Sequence, residues 1–249
     1  MPSRIDRTGW FASEPLTAAA NLVRAWAGGQ PHAIILAGSH AADGAVWVVF
    51  EGRSVSLSDL DFYVVLESSR ACSAAQARQR SAREGLRERL LALGLAAPLE
   101  AAFLTRRDLA ALPARPGTLE LCRHGRVLEG DPAVLAAVPR FSPREIAVEE
   151  RLLLIENRGF ELLEARVRPG QDALAGLRAR HAVLRTACDL GSVIALERGE
   201  YPDGIDLRLA WAGANAPELA APLAPIWARA LAWRKSPQPW ASEAEEREE

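Results

Sequence analysis

The sequence predicts an α+β chain in two parts, and three observations carry that prediction. Residues 1–139 alternate short apolar runs rich in β-formers with helical patterns. Residues 140–241 keep only helical spacing. The last residues, 242–249, are acidic and lack apolar anchors, so they read as a disordered tail. The 249-residue length suits one large domain or two small ones.

In the first part, Glu14 to Trp26 reads as a helix, with Ser13 as N-cap, Pro15 in the first turn and Gly28-Gly29 as the stop. Ala33 to Ala37 is a short buried strand that ends in the turn Gly38-Ser39. Ala45 to Phe50 is rich in β-formers, and Glu51-Gly52-Arg53 turns it back toward Ser58 as a hairpin. Phe62 to Leu66 is the next strand. Ser73 to Leu93 reads as one long helix stopped by Gly94, with Leu86, Leu90 and Leu93 on one face. Arg70, Arg78, Arg80, Arg83, Arg87 and Arg89, interleaved with Glu84 and Glu88, read as a solvated face rather than a nucleic-acid track. Pro98 to Leu104 is a third strand, with Glu100 near its start. Asp108 to Leu112 is a helical turn, and Thr118 to Leu121 a strand or turn running into His124 to Gly130.

In the second part, Ser142-Pro143-Arg144-Glu145 combines a Ser cap, Pro at the first position and Glu at the third, a helix start. Ile146, Leu153, Leu154, Phe160 and Leu163 mark its apolar side, and Arg168-Pro169-Gly170 breaks it. Asp172 to Glu197 is a second helix, through Leu177, Val183, Leu184 and Leu190. Two further helices lie at about residues 205–211 and 217–233. His181 and the tryptophans Trp211, Trp227 and Trp233 read as packing residues.

Composition excludes several classes of function. A formal net charge of −2 exerts no general pull toward nucleic acid or anionic lipid, so neither is an expected partner. No apolar run approaches the roughly 20 residues of a membrane span. The N-terminus lacks the apolar stretch of a secretory signal. Cys72, Cys122 and Cys188 fit neither a disulfide framework nor a zinc site. The expectation is a cytoplasmic protein with reduced thiols.

The chemistry concentrates in two stretches. Gly38-Ser39 follows a buried strand and offers backbone N–H groups and a hydroxyl at a turn, a place for phosphate oxygens. Ser58-Asp59-Leu60-Asp61 puts two carboxylates at i and i+2, on one face of a strand, while Leu60 and Phe62 turn to the core. Two like charges so placed call for a cation between them, and a hard divalent ion with oxygen ligands suits them. Glu100, on a neighbouring strand, would complete the cluster as a third ligand, as a general base, or as both.

These residues resemble the nucleotidyltransferase superfamily that includes DNA polymerase β. The closer resemblance is to the two-domain streptomycin/spectinomycin adenylyltransferases. Leu99 to Asp108 resembles their third-acid strand and the turn after it; Arg180 to Thr186, through Leu196 to Gly199, resembles their second-domain helix. The resemblance implies a small mixed sheet flanked by helices at residues 1–139 and a helical substrate-binding domain at 140–241. It implies Mg²⁺ on Asp59, Asp61 and Glu100, the same three as catalytic residues, and ATP as substrate held by Gly38, Ser39 and Ser58. The implied reaction moves AMP to a hydroxyl of a small molecule such as an aminoglycoside. A protein hydroxyl, as in antitoxin-like AMPylating enzymes, and a nucleotide-binding protein without turnover are the alternatives.

Two departures stand out. Nineteen residues separate Ser39 from Asp59, a longer step than the family's, and the excess falls on the hairpin, as a lid or as an edge extension without a role. The loop after the second-domain helix, residues 199–208, has no lysine, so Arg185 or Arg208 is assigned the phosphate contact in its place, although the two side chains are not equivalent. Glu149, Glu150 and Asp189 are candidates for holding a cationic acceptor.

Overall fold

The computed structural model describes residues 14–29, 31–167 and 173–238. Ser13, the Arg168-Pro169-Gly170 break, Asp172 and the acidic tail lie outside the described residues. The chain divides into two compact units, Met1–Arg140 and Phe141–Glu249. The fold is α+β: a small mixed sheet with helices in the first unit, helices in the second.

In the first unit the strands are β1 (Ala33–Ala37), β2 (Trp47–Phe50), β3 (Arg53–Ser56), β4 (Leu60–Leu66), β5 (Leu99–Thr105) and β6 (Arg126–Gly130). Four of them form a sheet in the order β5-β4-β1-β6. β1 runs antiparallel to both neighbours, and β4 and β5 run parallel. Alternation along the strands sorts apolar side chains to two faces. Ile34, Leu36, Phe62, Val64 and Phe103 pack with Leu16, Val23 and Trp26 of helix α1 (Glu14–Ala27) and with Cys72 and Ala75 of α3 (Ser69–Ser81). Ala33, Ile35, Val65 and Leu104 pack on the other face with Leu109 and Leu121. Both faces are covered, which is why β1 reads as an unbroken apolar run.

β2 and β3 form a separate two-stranded sheet. Phe50 lies opposite Arg53, so Glu51-Gly52 is a two-residue turn. Both have positive φ, 49° and 74°, the geometry that matches the twist of a tight hairpin and that favours glycine at the second position. At its base, Ser56 donates its N–H to the Gly94 carbonyl and accepts from Ala96 N–H, both at 2.9 Å.

Two expectations are corrected in this unit, and one is extended. The single helix over 73–93 is two, α3 and α4 (Leu86–Ala92), because its arginine-rich middle has little apolar surface to bury and Gly85 turns left-handed. The arginine stripe is exposed, as expected, and Arg78 within it also donates Nε to the Trp26 carbonyl at 2.6 Å and Nη2 to that of Ala27 at 2.8 Å, satisfying the end of α1. Thr118–Leu121 lies within helix α6 (Pro116–His124), not a strand. Ahead of it, α5 (Arg106–Ala110) starts with a reciprocal Thr105–Asp108 cap, and these hydrogen bonds lower the Asp108 pKa.

The second unit contains α7 (Val148–Val167), α8 (Ala173–Glu197), α9 (Ile205–Asn215), α10 (Pro217–Ala220) and α11 (Ala224–Lys235). Ser142 to Glu145 forms the expected cap, but it closes one 3-10 turn, and the long helix begins at Val148. α8 buries Leu174, Leu177, His181, Leu184, Cys188, Gly191 and Ala195 at regular i, i+3/i+4 spacing. A side chain at Gly191 would meet Leu209 of α9 and Trp227 of α11. Trp227 Nε1 donates to the Ala187 carbonyl at 2.7 Å. The apolar side expected of α7 is not its buried side: Leu153, Phe160 and Leu163 are exposed. Toward α8 it presents Arg151, which donates to the Leu196 carbonyl, and Arg158, which pairs with Asp189 at 2.5 Å and with Glu161.

Candidate functional site

The sheet register assembles the candidate site from three strands of the first unit. Ala37, the last residue of β1, lies opposite Asp61. Asp61 lies beside Glu100 on the parallel strand β5. Directly paired residues share a sheet face, so both carboxylates belong to the face that carries Tyr63 and Val65 on β4 and Ala102 and Leu104 on β5. Leu60 and Phe62 alternate to the opposite face and are 1% exposed. Asp61 is half-buried and Glu100 exposed.

Gly38 follows Ala37 directly and opens α2 (Gly38–Ala41) with φ +64°. A Cβ there would run into the Asp61 carboxylate. The left-handed backbone favours glycine here, and any side chain would have to displace the Asp61 carboxylate. The long step between Ser39 and Asp59 does not keep the two halves of the motif apart: the hairpin accommodates the extra residues, and Gly38 meets Asp61.

Electrostatics adds two residues that the sequence reading did not single out. Burial raises the Tyr63 pKa, Asp61 raises it further, and Arg115 opposes them, which puts the three in one electrostatic neighbourhood. His40, on α2, is buried; desolvation lowers its pKa to about 4, against raising effects from the Ser58 carbonyl and from Asp59. Neither has a distinguishing sequence signal, since each is defined by residues far away in the chain.

The expected site residues fall into three groups. Gly38, Asp61 and Glu100 come together, with Ser39 and Asp59 adjoining them in the chain. Ser58 is turned inward: it is 5% exposed and its Oγ accepts the Val46 N–H at 2.9 Å, so it holds the loop instead of presenting a hydroxyl to a nucleotide. Arg185 and Arg208 belong to the second unit. The Arg185 Nη1 lies 4.0 Å from Glu161. Arg208 is buried, stacks over the Tyr201 ring at 3.8 Å and donates to the Pro202 carbonyl at 3.0 Å and to Ser192 Oγ at 3.4 Å. These contacts give it a packing role within its own unit. Asp189 likewise faces Arg158 rather than a cationic acceptor.

The donor set of Asp59 and Asp61, hard carboxylates beside a glycine that leaves room, fits an oxygen-preferring divalent cation. The three-carboxylate group expected from the sequence is a different matter. Among the described residues no three His, Cys, Asp or Glu side chains stand close enough to hold a metal ion. Glu100 shares the face and the register of Asp61 without being gathered into a ligand cluster. Among the described residues no helix is long and apolar enough to cross a membrane.

No protein-family model matches the chain, and no curated protein matches it. Among solved structures the fold is similar to the crystal structure of spectinomycin adenyltransferase AAD(9) from Enterococcus faecialis with ATP and spectinomycin. The TM-score is 0.49 and the identity 12%, over 93% of this chain and 94% of that one.

Proposed function

We propose that this chain is a nucleotidyltransferase that moves AMP from ATP to a hydroxyl group of a small molecule. The observation that carries the reading is the meeting of Gly38 with Asp61, beside Glu100, at one end of the sheet. A phosphate-suited turn and carboxylates on neighbouring strands are what nucleotidyl transfer needs, and a solvated strand mouth has no need of either.

Asp59 and Asp61 would hold a divalent cation of the Mg²⁺ type, which when bound neutralises charge on the phosphate oxygens. Gly38 and Ser39 receive the triphosphate through backbone N–H groups and the Ser39 hydroxyl. Glu100, exposed and so able to reach an incoming group, takes the proton from the acceptor hydroxyl. The hydroxyl oxygen bonds to the α-phosphorus, the bond to the bridging oxygen breaks, and pyrophosphate leaves with that electron pair. Aminoglycosides are the acceptor class to test first.

The test is magnesium-dependent pyrophosphate release from ATP with a panel of hydroxyl acceptors. The wild type should release pyrophosphate with at least one acceptor. Glu100→Gln should lower the rate by about 10²–10⁴-fold, the range of general-base catalysis. ATP binding without release across the panel would defeat the enzyme reading and leave a nucleotide-binding protein.

A further inference from the structure

Residues 40–58 separate the Gly-Ser turn from the acid pair, and a buried polar node ties the two ends of that excursion together. His40, Ser56 and Ser58 are 1%, 0% and 5% exposed. The His40 Nε2 lies 3.1 Å from the Ser58 carbonyl oxygen and 3.0 Å from Ser56 Oγ. Ser56 Oγ donates to the same carbonyl at 3.1 Å and accepts the Ser58 N–H at 3.2 Å. Ser58 Oγ accepts from Val46 N–H, and the His40 ring meets Trp47 edge-on at 5.6 Å.

The partners assign the tautomer. A carbonyl oxygen only accepts, and the single Ser56 hydroxyl proton already goes to that carbonyl. The proton on this side of the imidazole is therefore on Nε2, shared between the Ser58 carbonyl and Ser56 Oγ. An apolar residue in this place would strand a buried carbonyl and hydroxyl with fewer donors. It would also remove the directional contact that sets the turn of the segment leading into Asp59.

The placement has a functional meaning. Ser58 immediately precedes Asp59. His40 stands two residues past Gly38, which itself abuts Asp61. The node thus joins both halves of the site through one side chain. We propose that His40 is a positioning residue, whose Nε2–H holds the Ser56–Ser58 segment so that Asp59 is presented beside Asp61 for a divalent cation. The inference rests on the nucleotidyl-transfer reading of the site, and the test separates the two.

Mn²⁺ alone is the probe, titrated into the full chain by electron paramagnetic resonance, well below the Tm of each variant. Wild type should bind, and Asp59→Asn should lose the site. His40→Leu should weaken Mn²⁺ by about 10-fold or more, the usual consequence of removing a residue that orients a ligand. His40→Gln, which keeps an N–H donor near the Nε2 position, should restore affinity to within about 3-fold. A merely structural role would lower Tm in His40→Leu and leave Mn²⁺ affinity unchanged. That result, with Asp59→Asn losing the ion, overturns the positioning role and spares the site. If Asp59→Asn binds like wild type, or wild type does not bind, the cation reading fails and the inference fails with it. Should His40→Leu not fold, Ser56→Ala decides by the same thresholds.

Discussion

The sheet of the first unit and helix α7 of the second are held in place by different means. The first unit buries apolar side chains on both faces of a sheet, and its carboxylates are placed by backbone register. The second unit pins a long helix with charged side chains: Arg158 to Asp189 and Glu161, Arg151 to the Leu196 carbonyl and Glu197. Apolar residues of α7 meanwhile remain exposed. A polar residue therefore has a different standing in each half. In the first unit the candidate carboxylates Asp61 and Glu100 are placed by strand pairing. In the second, the arginines and acids that resemble ligand contacts are also structural, so removing them first costs stability.

That contrast can be broken by experiment. The largest effect should come from the sheet core: Phe62→Ala is expected to cost about 3–5 kcal/mol in urea unfolding, the range for an aromatic truncated inside a packed core. A cost below about 1 kcal/mol would mean that apolar packing does not carry the first unit.

Next comes the pH response of the second unit. Burial, reinforced by Arg185, Arg234, Arg158 and Arg178, lowers the His181 pKa from 6.5 to about 3. The unfolded chain then binds a proton that the folded one refuses. The stabilisation is full above pH 6.5 and is lost as pH falls toward 3. Between pH 6.5 and 4 the loss should be on the order of 3 kcal/mol. In His181→Gln that part of the slope should disappear, and an unchanged slope would remove the histidine from the account.

Asp189→Ala should cost about 2 kcal/mol, because it strips one partner from a largely buried guanidinium that still keeps Glu161. A change near zero would make the α7–α8 ion pairs ornamental. The smallest effect is expected of Phe160→Ser. The residue is 67% exposed, and stability should stay within about 0.5 kcal/mol. A larger loss would show that α7 uses that face after all.

Much of the fold was legible because local rules and tertiary structure agree. The apolar run Ala33–Ala37, the Glu51-Gly52 turn and the alternation around Leu60 and Phe62 each specify one element with few competitors. The failures share a cause. At Ser142-Pro143-Arg144-Glu145 a strong cap signal closed a single turn, since a cap marks a start and says nothing of length. In α7 the apolar residues have helical spacing, yet the buried side is chosen by what α8 offers, and α8 offers Asp189 and a carbonyl. Ser58 and Arg208 have the chemistry of ligand contacts, but each is turned toward a partner in its own unit.

Residue types and local spacing set the α+β class, the strand that ends at Gly38 and the acidic strand start at Asp59 to Asp61. They also mark Glu100 as the acid to watch, because residue type and spacing are local properties. The meeting of these pieces depends on long-range strand pairing. The antiparallel pairing of β1 with β4 carries Gly38 to Asp61, and the parallel pairing of β4 with β5 carries Glu100 alongside. The reason is physical: a one-residue slip in either register would turn those carboxylates to the other face of the sheet. What opposes such a slip is the burial of both faces, and that is a property of the whole unit.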